Sequence, residues 1–394
     1  MCVEPAGIYI HIPFCIRKCP YCDFYSISDL SLSDAFTEAL QKEMQMAEFA
    51  SPADTIYFGG GTPSVLDPDQ IDRIIRAAYQ CFSIADQAEI TIEVNPGTVS
   101  LEKLKTYRKI GINRLNIGVQ SFQDEHLRFL GRIHSGDEAK CAIAWAQKAG
   151  FDNIGLDLIY GLPGQSEDIW ISDLETALES APAHLSCYML TYPKGTPIEK
   201  QSKAGLFYPS DDKTVSSLFL KTGEYLSRHG YLHYEISNFA RSDALMSRHN
   251  RKYWNDVSYP GFGPSAHSFI RPLTPALSPT GEREKFERFW NIRSVKQYIQ
   301  RIDAGKRPTA GKEELTREQQ MMEAIYLGLR QKQGIDIVRF DKKFGMSFEE
   351  TFKDILKKFE REGLTENNPG YCSLSEKGML FADGAAHLFN ISGV

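Results

Sequence analysis

The chain has 394 residues, of which 42% are apolar and 24% charged, with a formal net charge of −6. That length suits one large domain with a smaller one, and the acidic balance leaves no electrostatic footprint for nucleic acid, so no nucleic-acid partner is expected. No apolar run approaches the roughly 18–20 residues of a membrane span. No basic segment followed by an apolar core marks a secretory signal, so a cytoplasmic location is expected. The eight cysteines are sparse and three are clustered, which fits free thiols in a reducing compartment.

An apolar strand is expected at 7–12, and three cysteines follow it closely in Cys15-Ile-Arg-Lys-Cys19-Pro-Tyr-Cys22. A tetrahedral structural metal site wants four ligands, and a cubane iron–sulfur cluster has four irons to hold. Three thiolates on one loop therefore leave one coordination position open for chemistry.

Further strands are expected at 55–58, 89–95, 114–119, 153–160 and 185–190, and helices at 33–49, 68–82, 100–110, 136–149, 167–180 and 211–229. Gly111 and Gly150 stand where helix C-caps fall. βα units in series imply an α/β fold with a parallel sheet, either an incomplete barrel or an open doubly wound sheet.

Strand parity adds a second signal. The apolar residues of 89–95 face away from Glu93, Asn116 and Gln120 share a face, and Asp157 opposes its leucine neighbours. Glu93, Gln120 and Asp157 are thus expected inside a barrel near the carboxyl ends of strands, where βα-barrels build active sites. The plainer alternative is that they satisfy one another. Gly59-Gly60-Gly61-Thr62-Pro63 follows the second strand and either brings backbone close to a ligand or makes a tight turn. Arg132 is either a carboxylate anchor or an ordinary surface charge. Gly261-Phe-Gly263 is a poor dinucleotide fingerprint, because no strand is expected before it. Cys81, Cys141, Cys187 and Cys372 read as small core residues.

The stretch 271–282 carries three prolines and reads as a loop. Beyond 312, helices at 316–330, 335–344 and 348–362 and a strand pair near 371–374 suggest a small winged-helix-like module. The domains are accordingly expected at 1–240, 241–311 and 312–394.

Taken in order, Tyr9-Ile-His-Ile-Pro-Phe-Cys15, the C-x3-C-x2-C loop with Tyr21, Gly59–Pro63, Glu93-Val-Asn-Pro96, Gly118-Val-Gln-Ser-Phe122, Arg132-Ile-His134 and Asp157-Leu-Ile-Tyr-Gly-Leu-Pro163 resemble the radical S-adenosylmethionine (radical SAM) superfamily. The branch is that of the oxygen-independent coproporphyrinogen III oxidases. The resemblance implies a partial (β/α)6 barrel with a small, mostly helical C-terminal domain. It also implies a 4Fe-4S cluster on Cys15, Cys19 and Cys22, with S-adenosylmethionine on the fourth iron. By position, Tyr9, Tyr21, Gly60, Gly61, Thr62, Glu93, Gln120, Arg132, Asp157 and Thr191 would line the S-adenosylmethionine pocket.

Two departures from the oxidases matter. They carry a further cysteine where this chain has Phe24, and an N-terminal arm of several tens of residues where Tyr9 here stands near the start. The Cys-Pro-Tyr-Cys-Asp-Phe24 form and His249-Asn-Arg-Lys-Tyr253-Trp254 resemble instead the HemW subgroup of haem chaperones. That implies haem as a ligand, His249 as a haem contact with His267 as a further candidate, and recipient apo-haemoproteins, respiratory ones among them. It also implies peripheral association with membrane proteins, as a monomer or a cluster-linked dimer. No catalytic residue is assigned. The alternative is a radical SAM oxidoreductase acting on a tetrapyrrole.

Overall fold

In the computed structural model, which describes residues 4–271 and 286–389, strand β1 (Ala6–Ile12) opens a run of βα units. Helix α1 (Ser33–Gln45), β2 (Ala53–Gly60), α2 (Pro68–Cys81), β3 (Ile84–Val94), α3 (Leu101–Lys109) and β4 (Arg114–Gln120) follow in order. The series continues with α4 (Asp124–Phe129), α5 (Gly136–Lys148), β5 (Asn153–Tyr160), α6 (Glu167–Glu179) and β6 (His184–Met189). Local chemistry sets the boundaries. Asp67 and Gln70 form a capping box at the start of α2, with Pro68 just inside it. Ser135 and Glu138 do the same for α5. Gly111 (φ +103°) and Gly150 (φ +86°) end α3 and α5 in the left-handed conformation expected of them.

The strands pair in parallel in the order β6-β5-β4-β3-β2-β1, and a short strand, Gly261–Phe262, adds in parallel beyond β1. Ile8, Ile10 and Ile12 of β1, Ile56 and Phe58 of β2, and Leu115 and Ile117 of β4 are buried. Burying this apolar face at about 25 cal/mol per Å² is the main drive for assembly. The sheet curls: Tyr57 of β2 lies within electrostatic reach of Asp157 on β5 and of Tyr188 at the end of β6. The result is a partial barrel, the first of the two alternatives left by the strand series and the one that the resemblance implies.

The chain divides into two compact units: residues up to Ser210 with Val257–Glu314, and Asp211–Asp256 with Leu315 onward. The sequence reading divides the chain at 240 and 311 instead. The difference has a local cause: 211–256 bonds to the C-terminal residues. Glu235, fully buried, pairs with Arg330 at 3.2 Å. The Ile236 N–H donates to the Arg330 carbonyl, and the Lys332 N–H to that of Tyr234, each at 3.1 Å.

The second unit runs helix Arg317–Arg330, strand Ile335–Asp336, helices to Arg361, then strands Thr365–Glu366 and Tyr371–Leu374, which is winged-helix order. The helix expected at 335–344 starts at Ile337, because Ile335 and Asp336 pair with Cys372 and Tyr371. The helix expected at 348–362 breaks at Phe352 into Phe348–Thr351 and Lys353–Arg361. Phe340, Phe348, Phe352, Phe359 and Phe389 pack their rings in this unit's core.

Cys187 and Cys372 are buried as expected, but Cys141 is exposed and Cys81 only partly covered. Both lie on helices whose solvent-facing side the sequence pattern did not resolve. From residue 272 the proline-rich stretch lies outside the described residues. No helix among the described residues is long and apolar enough to cross a membrane.

Candidate functional site

The cysteine loop leaves the carboxyl end of β1 and is pinned at both ends. Ile27 N–H donates to the Pro13 carbonyl at 2.8 Å and Cys15 N–H to the Ile27 carbonyl at 2.9 Å. Arg17 donates to the carbonyls of Gly131 and Arg132, each at 2.7 Å. Gly131 (φ +67°) has no side chain because a Cβ there would stand 2.7 Å from Pro20. The three thiols converge: burial first, then the proximity of Cys15 and Cys19, pushes the Cys22 thiol up to about 11.

Among the described residues no three His, Cys, Asp or Glu side chains close on a single ion. A cubane, by contrast, spreads its thiolates over separate irons. Two groups sit on the sulfurs: the Thr62 hydroxyl lies 3.3 Å from Cys15 Sγ, and Arg132 Nη1 lies 3.7 Å from Cys19 Sγ.

The glycine run is a space requirement. A Cβ on Gly60 (φ +107°) would stand 2.6 Å from the His11 ring, and one on Gly61 would stand 2.6 Å from the Phe14 carbonyl. Backbone bonds Gly61 N–H to Ile12 O (2.8 Å) and Thr62 N–H to Phe14 O (2.7 Å) lock the loop against the cysteine segment. His11 supports it from below: Nε2 meets the Tyr25 carbonyl at 2.9 Å and Nδ1 meets the Tyr9 hydroxyl at 3.1 Å.

Register brings the polar residues together. Tyr9 pairs with Tyr57, Glu93 with Asn116, Gly118 with Asp157, and Asp157 with Ser186. Tyr57 donates to Glu93 Oε1 at 2.8 Å, and Asn116 donates to Asp157 Oδ2 at 2.6 Å. Burial raises Glu93 to about 7, opposed by the Tyr57 and Gly60 bonds and assisted by the charge of Asp157. Burial likewise raises Asp157 to about 6 against bonds from Ser186 and Asn116 and the charge of Arg114. Asp157 Oδ1 nevertheless has no partner, and neither does Arg132 Nε.

Gln120 ends β4 at φ +70°, where the register with β5 shifts. This bulge re-aims its amide. Gly118 leaves the space, since a Cβ there would meet Gln120 Nε2 at 2.8 Å and Arg132 Nη2 at 3.4 Å. Arg132 is thus recessed, not a surface charge: Nη2 donates to the Gly118 carbonyl at 2.8 Å and the guanidinium bonds Tyr21.

The structure therefore gathers Tyr9, Tyr21, Gly60, Gly61, Thr62, Glu93, Gln120, Arg132 and Asp157 around the cysteine loop. Thr191 stands apart, exposed just past the end of β6. His249 lies in the second unit on helix Arg248–Trp254, fully buried, with Nε2 2.9 Å from the Tyr253 hydroxyl. Sequence reasoning placed Asn116 on the face of Gln120 without selecting it and missed Tyr57, His11 and Arg114, although Arg114 shares that same face.

Whether the residues fit a cluster and S-adenosylmethionine is decided by their chemistry. Three converging thiols, a glycine cradle that any Cβ would fill, and orphaned anionic and cationic atoms beside it match such a pair of groups. Fold and site together define a radical SAM protein. The radical SAM superfamily model matches residues 9–177, and the HemN C-terminal domain model matches 315–381. The structure resembles that of Escherichia coli coproporphyrinogen III oxidase HemN (TM-score 0.82, 24% identity, covering 99% of this chain and 91% of that one). Two relatives named haem chaperone HemW match at full length. The Lactococcus lactis protein is 32% identical over 100% of both chains, and the Bacillus subtilis protein is 34% identical over 95% of this chain and 96% of that one. The chain belongs to the HemW family, within the coproporphyrinogen III oxidase-like branch.

Proposed function

We propose that the chain is a haem chaperone of the cytoplasm, binding haem and delivering it to apo-haemoproteins, respiratory ones among them. The observation that carries this reading is the extent of the similarity to proteins named haem chaperones, which spans both compact units and not the barrel alone. Phe24, where the oxidases have a cysteine, is exposed at 67% and supports it.

Cys15, Cys19 and Cys22 would hold the cluster, which when bound supplies electrons and an open iron for the amino and carboxylate groups of S-adenosylmethionine. The chain's own part is positioning. Glu93 would accept from ribose hydroxyls, Arg132 would pair with the methionyl carboxylate, and the Gly60–Gly61 backbone would accept from the amino N–H. His249, as the family signature suggests, would contact haem only after giving up its bond to Tyr253.

A second reading, a radical SAM oxidoreductase on a tetrapyrrole, is favoured by the unpartnered Asp157 Oδ1 and Arg132 Nε, which prepare a pocket as a catalyst would. Anaerobic reconstitution followed by two assays separates the two. The chaperone reading expects a Soret band on haem addition and transfer to an apo-haemoprotein. Consumption of coproporphyrinogen III with stoichiometric 5′-deoxyadenosine release would overturn it. Cys19→Ala is expected to abolish the cluster absorbance.

A further inference from the structure

A small antiparallel sheet in the first unit carries aromatic and cationic groups that the cluster site does not use. Strands His267–Ile270, Glu287–Asn291 and Thr309–Glu314 pair so that His267 stands opposite Trp290, Phe269 opposite Arg288, and Trp290 opposite Gly311. These residues share one face. The His267 ring lies 5.9 Å from the Trp290 indole at an interplanar angle of 25°. The indole lies flat over Gly311, where a Cβ would stand 2.5 Å from it. Arg288 lies over the Phe269 ring at 5.9 Å and bonds Glu313 at 3.2 Å. Arg293, exposed, lies over Tyr25 at 5.7 Å.

This face lies beside the cofactor pocket. The imidazole of His11, which backs the glycine loop, lies within electrostatic reach of both His267 and Arg293.

We propose that the exposed imidazole of His267, backed by Trp290, is an axial ligand for haem iron, with Arg293 pairing a propionate. The inference rests on the haem-binding reading above and names the ligand for it. A planar, anionic iron porphyrin needs a neutral imidazole with a bare nitrogen, a flat aromatic support and a nearby guanidinium. His267 supplies the imidazole, held against the Trp290 indole. It is also exposed, whereas His249 is buried and its Nε2 is already engaged. Trp290 and Arg293 meet the second and third.

The test is a haemin titration of the full-length protein, read by the Soret band and by resonance Raman for iron–histidine ligation. Wild type, His267→Ala, His267→Gly and His249→Ala are compared, with circular dichroism as the control for folding. His267→Ala is expected to weaken binding at least tenfold and to lose the histidine-ligated spectrum. Free imidazole is expected to restore that spectrum in His267→Gly, which a merely structural role would not allow. Metal-free protoporphyrin IX is expected to bind wild type and His267→Ala alike, because it offers no iron. A His267→Ala protein with wild-type spectrum and affinity overturns the assignment alone, and the more clearly if His249→Ala loses ligation. A wild-type protein that takes up no haemin, while loading cluster and S-adenosylmethionine, overturns the haem reading itself.

Discussion

Two glutamates of the barrel unit, Glu43 buried and Glu93 half-buried, differ in how their oxygens are used. Glu43 on α1 accepts from the Asn291 amide at 2.6 Å on one oxygen, and from Gly263 N–H at 2.8 Å and the Tyr298 hydroxyl at 2.6 Å on the other. Glu93 sits with Asp157, whose second oxygen has no partner. Burial raises both glutamates to about 7. The perturbed pKa alone therefore does not mark the site. Glu43 is a fastener joining α1 to three positions of the segment 257–314, with its acceptors filled by the chain. The rim pair instead leaves one acceptor, Asp157 Oδ1, unfilled beside a cradle of glycines, which a ligand with hydroxyl and amino groups would complete.

The sharpest way to break this contrast is Glu43→Ala. It leaves three buried donors without an acceptor, each costing about 1–3 kcal/mol. The expected loss is on the order of 4 kcal/mol of stability, read by urea denaturation. The S-adenosylmethionine affinity of the folded fraction should be unchanged. A tolerated substitution that weakens S-adenosylmethionine binding would place Glu43 with the rim instead.

Glu93→Gln should act in the opposite sense. Folded Glu93 keeps its proton to about 7, against an ordinary value of 4.5. The folded state therefore binds more protons than the unfolded one across that window, and stability falls as pH rises from about 4.5 to about 7. The shift corresponds to about 3 kcal/mol above pH 7. Glu93→Gln removes that share, so at pH 8 the ligand-free protein should be more stable than wild type by up to about 3 kcal/mol. Its stability–pH slope should also be shallower. S-adenosylmethionine affinity should fall at least tenfold, measured by calorimetry. Equal pH slopes for variant and wild type would show that Glu93 is not buried as a charge.

The sequence made the frame legible because period-two alternation and glycine caps are local signals. Expected strands 153–160 and 114–119 match β5 and β4 to within a residue. Glu93, Gln120 and Asp157 were readable because each is a polar residue on an apolar strand. What escaped depends on contacts distant in sequence. Tyr57 reads as an ordinary strand tyrosine until register sets it against Glu93. Gly261 and Gly263 look like a failed nucleotide motif. Pairing shows their purpose: Gly261 lies beside Tyr9, and Gly263 (φ +96°) is pressed onto the His11 carbonyl, where a Cβ would stand 2.5 Å away. The 211–256 segment escaped for the same reason, since its partners at Arg330 and Lys332 lie far along the chain.

Gln120 offers the finest test of rim against fastener. Its φ of +70° costs a non-glycine residue about 1–3 kcal/mol, and such strain persists where the surroundings impose it for function. A structural residue at this bulge would serve better as glycine, which adopts that conformation freely. Gln120→Gly should therefore stabilise the ligand-free protein, by about 1 kcal/mol once the lost amide contacts are set against relieved strain. It should also weaken S-adenosylmethionine binding several-fold, through loss of the amide beside Gly118 and Arg132. Gln120→Asn, which tolerates the left-handed region and keeps an amide on a shorter arm, should recover the stability but not the affinity. If glycine improves stability and leaves binding untouched, the bulge is a packing solution, and the under-bonded rim narrows to Glu93, Asp157 and Arg132.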